Sequence, residues 1–229
     1  MATLEMVLAD GYLDADLHAL LVDAIEKINF SDTIRVVVLR SRGRDFCLGG
    51  VSETPRDGIA ALASLRVPVL AVLQGKVLDE GLELALACDL RFAATGARLG
   101  LTQLSRGILP SHGGTQRLPR LIGQGAASRM ILLGEILTAR RAEKLGFVHQ
   151  VEAASNLNRK VAVVVRSLTA RSPVAQKLAK EAILASGVLS LAEGLRLEGD
   201  LYVLSQSSSD REEGLASFRE KRQPKFIGR

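Results

Sequence analysis

The stretch Val67–Asp89, VPVLAVLQGKVLDEGLELALACD, decides how the rest of the chain is read. Val67 to Leu73 is apolar and partly β-branched. It is broken only by Pro68 near its start, where a strand tolerates a missing N–H, so a buried strand is expected. Gln74-Gly75 ends that strand. Asp79 is placed to cap a helix over Glu80 to Cys88, with Leu82, Ala85 and Leu86 on one face. A strand that enters a helix through a glycine-containing turn aims unpaired backbone N–H groups at one point, and such a point stabilises negative charge. Glu83, in the first helical turn, puts a carboxylate beside it. Donors that hold an oxyanion next to a carboxylate that moves a proton suit chemistry on a carbonyl. On this stretch alone, an ordinary strand–helix unit with a solvated glutamate is the alternative.

Towards the N-terminus, Thr3 to Leu8 reads as a strand and Asp10-Gly11 as a turn. Asp14 or Asp16 can cap a helix from Ala15 to Ile28, with Leu17, Leu20, Leu21, Ala24, Ile25 and Ile28 at helical spacing. Ile34 to Leu39 is a buried strand. The basic loop Arg40 to Arg44 follows, then Phe46-Cys-Leu-Gly-Gly50, whose two glycines open backbone conformations closed to other residues. A short helix over Ile59 to Leu65 leads into the central strand. Beyond the central helix, short strands are expected at Leu90 to Ala93 and Arg98 to Leu101. Gly107 to Gly114, GILPSHGG, is a loop. Helices are expected at Thr115 to Ile122, at Ala126 to Leu133 and, capped by Thr138, up to Leu145. A last strand falls at Val148 to Val151. From Asn156 onward only helices are expected, opened by Ser172-Pro173 and by the capping-box spacings Ser190 to Glu193 and Ser209 to Glu212. Strands and helices alternate first and helices alone follow, so the expected class is α/β, with a body over 1–155 and an α-helical region over 156–229.

The 229 residues make one large domain, and a hydrophobic content of 47% supplies its core. Aromatics are only 3% with no Trp, so that core must be aliphatic. The net charge of +5 fits an anionic ligand, and equally a protein with no charged partner. There is no long Lys/Arg block and little aromatic surface for stacking on bases, so a nucleic-acid partner is not expected. Cys47 and Cys88 are far apart and lack zinc-ligand spacing; they read as buried thiols, and no metal is expected. The N-terminus has no basic region followed by an apolar core, and no apolar run reaches membrane-spanning length. A cytoplasmic protein with no membrane contact is expected.

Four stretches resemble the crotonase superfamily, the enoyl-CoA hydratases and isomerases. Asp45 to Gly50 resembles its F-x-A-G-A-D segment. Pro68 to Asp89 resembles P-V-I-A-A-V-N-G-x-x-x-G-G-G-x-E-L-A-x-x-C-D. Gly107 to Leu118 resembles G-x-x-P-x-x-G-G-T-Q-R-L, and Ser209 to Lys221 resembles D-x-x-E-G-x-x-A-F-x-E-K. The resemblance covers most of the chain. It implies a spiral of strand–strand–helix units followed by helices that drive assembly into trimers, which often pair into hexamers. It also implies an acyl-CoA substrate, with CoA arriving as part of the thioester and no separate cofactor. The thioester oxygen would be held by the backbone N–H groups of Gly50 and Glu80, with Leu48 and Gly49 lining the substrate. Glu83 matches the first catalytic glutamate. Phe218 and Lys221 match positions that approach the CoA nucleotide of an adjacent subunit.

The departures from the family pattern are as informative. Its G-G-G is Asp79-Glu80-Gly81 here, so two acidic side chains enter a usually bare turn, facing either the pocket or solvent. The second hydratase glutamate falls at Gln103, which cannot exchange a proton near neutral pH. Ser111 and His112 fall near the pocket; His112 either replaces the missing acid or sits at the surface, capping a backbone group. Only 18 residues separate Gly50 from Pro68, where relatives carry a longer helical lid. The resemblance therefore favours an enoyl-CoA hydratase-like lyase. A crotonase-type isomerase or decarboxylase using Glu83 alone remains open, as does a weakly catalytic CoA- or RNA-binding paralogue.

Overall fold

The structure, a computed structural model, describes residues 3–8, 11–51 and 53–229. In chain order its elements begin β1 (Thr3–Leu8), α1 (Ala15–Asn29), β2 (Val36–Ser41), α2 (Gly58–Ala63), β3 (Val69–Leu73), β4 (Lys76–Leu78) and α3 (Glu80–Leu86). They continue β5 (Leu90–Ala94), β6 (Arg98–Gly100), a 3₁₀ turn (Gln103–Arg106), α4 (Gly114–Ile122), α5 (Gln124–Leu132), β7 (Leu137–Thr138), α6 (Ala139–Lys144) and β8 (Gln150–Glu152). Four helices complete the chain: α7 (Ala154–Thr169), α8 (Pro173–Ala185), α9 (Leu191–Gln206) and α10 (Ser209–Arg219).

β1, β2, β3, β5 and β8 form one parallel sheet in that order. Parallel neighbours need crossovers that cover the faces, so such strands are apolar on both sides. That is the composition of IRVVVL and VLAVL. Alternate residues go to opposite faces. Val37, Leu39, Ala71 and Leu73 join the main core with α1, α2 and α3. Val36, Val38, Leu70, Val72 and Phe92 pack against Leu157 and Val161 of α7. α7 thus seals the far face of the sheet, although the resemblance groups it with the helices of assembly.

β4, β6 and β7 form a second, small sheet. The break at Gln74-Gly75 is a step between sheets, with β4 pairing in parallel to β6. The chain thus repeats strand–strand–helix units, β3–β4–α3 being the central one. The 3₁₀ turn, β4 and β7 are too short to leave a periodic signal. Two local details also differ from expectation, one a cap and one a helix face. Ser208 rather than Ser209 caps α10, its hydroxyl accepting from the Arg211 N–H, while the Ser209 hydroxyl donates to the Arg229 carbonyl. On α1 the buried face runs through His18, Leu21, Ile25 and Ile28, with Leu20 left 63% exposed.

α8 is tied to the body by Lys180, whose Nζ donates to Asp89 Oδ2 at 2.6 Å and to the Val67 carbonyl at 2.9 Å. The outer helices otherwise present apolar side chains to the outside: Ile183, Val188, Leu191, Leu195, Tyr202 and Val203 are all exposed. A run of this kind marks a surface that expects a partner.

Candidate active site

All seven residues of α3 are buried, Glu80 and Glu83 included. Close backbone approach makes this possible. A Cβ on Gly81 would lie 2.5 Å from the Cys47 carbonyl oxygen, so only glycine fits there. A Cβ on Gly50 would lie 2.5 Å from the Leu13 carbonyl oxygen and 3.1 Å from the Glu80 Cβ. The Gly50 and Glu80 backbones therefore run side by side at the start of α3. The loop at Gly50 is pinned by the Val51 N–H donating to the Leu13 carbonyl at 2.9 Å. Tyr12 lies over it, its hydroxyl donating to the Gly50 carbonyl at 3.0 Å. Gly49 is buried beneath it and Leu48 is 44% exposed.

Asp79 and Glu80 are each only 1% exposed, so neither side chain points to solvent. Asp79 has φ 52 and ψ −120, a conformation natural to glycine, and its side chain does not cap α3. It turns away from the loop at Gly50. Oδ1 accepts from the Thr102 N–H at 2.5 Å, Oδ2 accepts from Arg106 Nη2 at 2.9 Å, and the Thr102 hydroxyl reaches both oxygens. The donors at the end of β6 capture the carboxylate that a helix N-terminus would otherwise hold. Glu80 turns the other way, with Oε2 3.5 Å from where a Gly49 Cβ would stand.

Glu83 is fully buried. Its Oε1 accepts from the N–H of His112 at 2.8 Å and of Gly114 at 2.7 Å. Gly113, at φ +100, bends the GILPSHGG loop so that the N–H groups on either side of it meet one oxygen. Among the described residues, Oε2 receives only Gln103 Nε2, at 3.3 Å. Burial pushes the Glu83 carboxyl above the usual glutamate range, against the two N–H bonds and the His112 charge. Gln103 is fully buried as well, and its Oε1 has no hydrogen-bond partner among the described residues. A glutamine here can orient a water or an acyl oxygen, and it holds Glu83 by its amide.

His112 is buried while Ser111 is exposed. The His112 Nδ1 lies 3.1 Å from Asp57 Oδ2, and Nε2 lies 3.1 Å from the Val51 carbonyl. The His18 ring packs against it at 5.0 Å between centroids. Sequence reasoning passed over Asp57 and His18. Asp57 looks like the cap of a short helix, which it also is. His18 did leave a signal, since it falls at helical spacing with Leu21 and Ile25 on the buried side of α1. Phe218, at 85% exposure, and Lys221 stand exposed at the end of α10. Lys221 has φ 53 and ends the helix in the left-handed conformation. The two thiols are buried, which pushes Cys47 up to about 11 and Cys88 up to about 12. Among the described residues, no group of three or more His, Cys, Asp or Glu could hold a metal ion, and no helix is long and apolar enough to cross a membrane.

The sequence model of the enoyl-CoA hydratase/isomerase family matches residues 11–229. The chain belongs to this family. It is an enzyme of the crotonase superfamily, acting on acyl-CoA thioesters. It is 38% identical to the protein YngF of Bacillus subtilis, over 100% of this chain and 94% of that one. It is 36% identical to the 2,3-dehydroadipyl-CoA hydratase of Escherichia coli, over 100% and 95%. The crystal structure of an enoyl-CoA hydratase from Bacillus anthracis superposes with a TM-score of 0.94 at 33% identity, covering 99% of this chain and 96% of that one. The crotonase fold, with its β–β–α repeats and C-terminal helices, is thus the fold of this enzyme.

Proposed function

We propose that this enzyme is enoyl-CoA hydratase-like, with Glu83 as its one proton-carrying group and the N–H groups of Gly50 and Glu80 as its oxyanion hole. The observation that carries the reading is the state of Glu83: fully buried, one oxygen fixed by two N–H groups, the other meeting, among the described residues, only a long contact from Gln103. A carboxylate so held has a lone pair available to a reacting atom. Water adds to Cβ of a 2-enoyl thioester and its proton passes to Glu83. The electron pair moves onto the thioester oxygen, held by the two donors. The same proton then returns from Glu83 to Cα, and the thioester carbonyl re-forms. Losing one such donor costs about 3 kcal/mol of transition-state stabilisation. Gln103 orients the water and carries no proton, so one group does the work of two and hydration is slow. Leu48 and Gly49 line the thioester. Ser111, at the surface, has no part in the proton transfers.

The assembly we propose is a trimer, or a hexamer of stacked trimers, in which the apolar outer faces of α8 and α9 are covered and Phe218 and Lys221 reach the CoA nucleotide of a neighbour. The 85% exposure of Phe218 within one chain supports this. The region over 156–229 then serves assembly, apart from α7. Light scattering at micromolar concentration tests it, with a monomer as the contrary result.

The reaction is tested with 2-enoyl- and 3-enoyl-CoA thioesters in D₂O. Hydration of the 2-enoyl substrate with deuterium at Cα is expected. Turnover of 3-enoyl substrates alone would make the enzyme a one-glutamate isomerase. Binding without turnover would make it a CoA-binding paralogue.

A further inference from the structure

His112 has an acceptor beside each ring nitrogen: Nε2 is hydrogen-bonded to the Val51 carbonyl, and Nδ1 stands 3.1 Å from Asp57 Oδ2, at ion-pair distance but without hydrogen-bond alignment. With one proton given to Val51, a neutral ring would set the bare Nδ1 lone pair against a carboxylate oxygen; the imidazolium sets a positive charge there instead. The neighbouring His18 is the opposite case. Its Nδ1 accepts from the Gly58 N–H at 3.0 Å, so its single proton sits on Nε2 and the ring is neutral. The three pieces that His112 joins are the ones the chemistry needs. Val51 directly follows the oxyanion donor Gly50. The His112 N–H holds Glu83. Asp57 begins the shortened segment over the pocket, and its Oδ1 also caps α2 through the N–H groups of Ile59 and Ala60.

We propose that His112 is a positioning residue that works as a buried imidazolium, latching the oxyanion loop at Val51 to the loop that holds Glu83, with Asp57 as its counter-ion. The proposal rests on the reading of Gly50 and Glu83 given above. Facing His112 are His18 from α1, Asp57 at the start of α2, Glu83 from α3 and, through the His112 carbonyl, Arg117 of α4 at 2.6 Å. Burial opposes the charge on His112, but the Asp57 carboxylate beside it, the bond to Val51 and the charge of Glu83 outweigh it and raise its pKa. Asp57 moves the other way. Burial raises it, yet the α2 N–H groups and His112 bring it below the usual range. The latch is therefore closed between the lowered Asp57 value and the raised His112 value. It opens as pH rises through the raised His112 value, and also as pH falls through the lowered Asp57 value. Its charge lies close enough to Glu83 to favour the ionised carboxylate, against the burial that raises it.

Two readouts test this. Imidazole ¹⁵N NMR of the whole enzyme follows three histidines, and it does not depend on turnover. One of them should titrate above the ordinary 6.5, vanish in His112→Gln and move down in Asp57→Asn, while the other two titrate below 6.5. The second readout is exchange of the α-protons of a saturated acyl-CoA in D₂O, which reports enolate formation alone. Its rate should fall at alkaline pH with the His112 titration. Asp57→Asn should lower it roughly tenfold to a hundredfold with little change in KM. His112→Gln, which can still donate to Val51, should recover part of what His112→Leu loses and should erase the alkaline fall. His112 titrating at or below 6.5, or an alkaline fall unchanged in His112→Gln, overturns the latch. Absence of exchange in every variant overturns the reading of Glu83 instead, and the NMR titration then decides the latch alone. Should Asp57→Asn fail to fold, His112→Gln carries both measurements.

Discussion

Asp79 and Glu83 stand one helical turn apart at the start of α3, and both carboxylates are out of water. Asp79 is saturated: Thr102 gives it an N–H and a hydroxyl, and Arg106 gives it a full positive charge. Among the described residues, Glu83 is saturated on one oxygen only and has no cation bonded to its carboxylate. On the reading proposed for Glu83, one short helix carries a structural carboxylate and a chemical one. Neutralisation and complete hydrogen bonding lock a carboxylate into the fold, whereas partial satisfaction leaves it able to take and return a proton.

The largest effect should come from removing the chemical member. Glu83→Gln keeps an oxygen for the His112 and Gly114 N–H groups, so the fold should stay, while thioester turnover falls by roughly 10²–10⁴-fold. A smaller loss would show that Glu83 is a second structural carboxylate and would dissolve the contrast. Gln103→Glu comes next. A carboxyl there would lie buried beside Glu83 and be held protonated by its neighbour's charge, supplying the missing acid. Hydration of a short enoyl-CoA should rise by a factor on the order of 10². If the unmodified enzyme is already fast and the substitution changes nothing, a water or the substrate carries the second proton.

The structural member is tested by stability. Asp79→Ala removes the partners of Thr102 and Arg106 and leaves a Cβ at positive φ; denaturant unfolding should show a loss of roughly 2–3 kcal/mol. Asp79→Gly loses the same bonds without the backbone strain, so it should be the milder of the two by about 1 kcal/mol. Equal losses would mean that φ 52 is no burden. The smallest effect is the pH dependence of Glu83→Gln stability. A raised carboxyl in the folded state disfavours folding once the unfolded chain ionises. Above the ordinary glutamate value of 4.5 the variant should therefore gain Tm relative to the parent, and the gain should shrink below it.

Long-range geometry marks the limit of what the residues reveal in sequence. The alternation of apolar strands and amphipathic helices was legible because it repeats, and Glu83 because a glutamate in the first turn after a strand is a local pattern. β4 and the 3₁₀ turn were not, since three or four residues carry no period. Asp79 read as a cap because capping is the local option for an Asp before a helix; the donors that outcompete α3 arrive from Thr102 and Arg106, more than twenty residues on. The cluster of His18, Asp57 and His112 was least legible of all. Each member has an ordinary local role, and only the packing of α1, α2 and the 107–114 loop turns three ordinary residues into one electrostatic unit.

The division of the sheet between two covers has a consequence for the order in which the protein is made. All residues from Tyr12 to Gly114 that build the site are synthesised before α7. A growing chain that has not yet produced Leu157 and Val161 holds Gly50, Glu80, Glu83 and Gln103 but leaves Val36, Val38, Leu70, Val72 and Phe92 bare on the far face. Parallel strands joined by long crossovers gain their partners slowly, and such a face is adhesive while it waits. α7, made after every one of those residues, is the helix that ends the exposure.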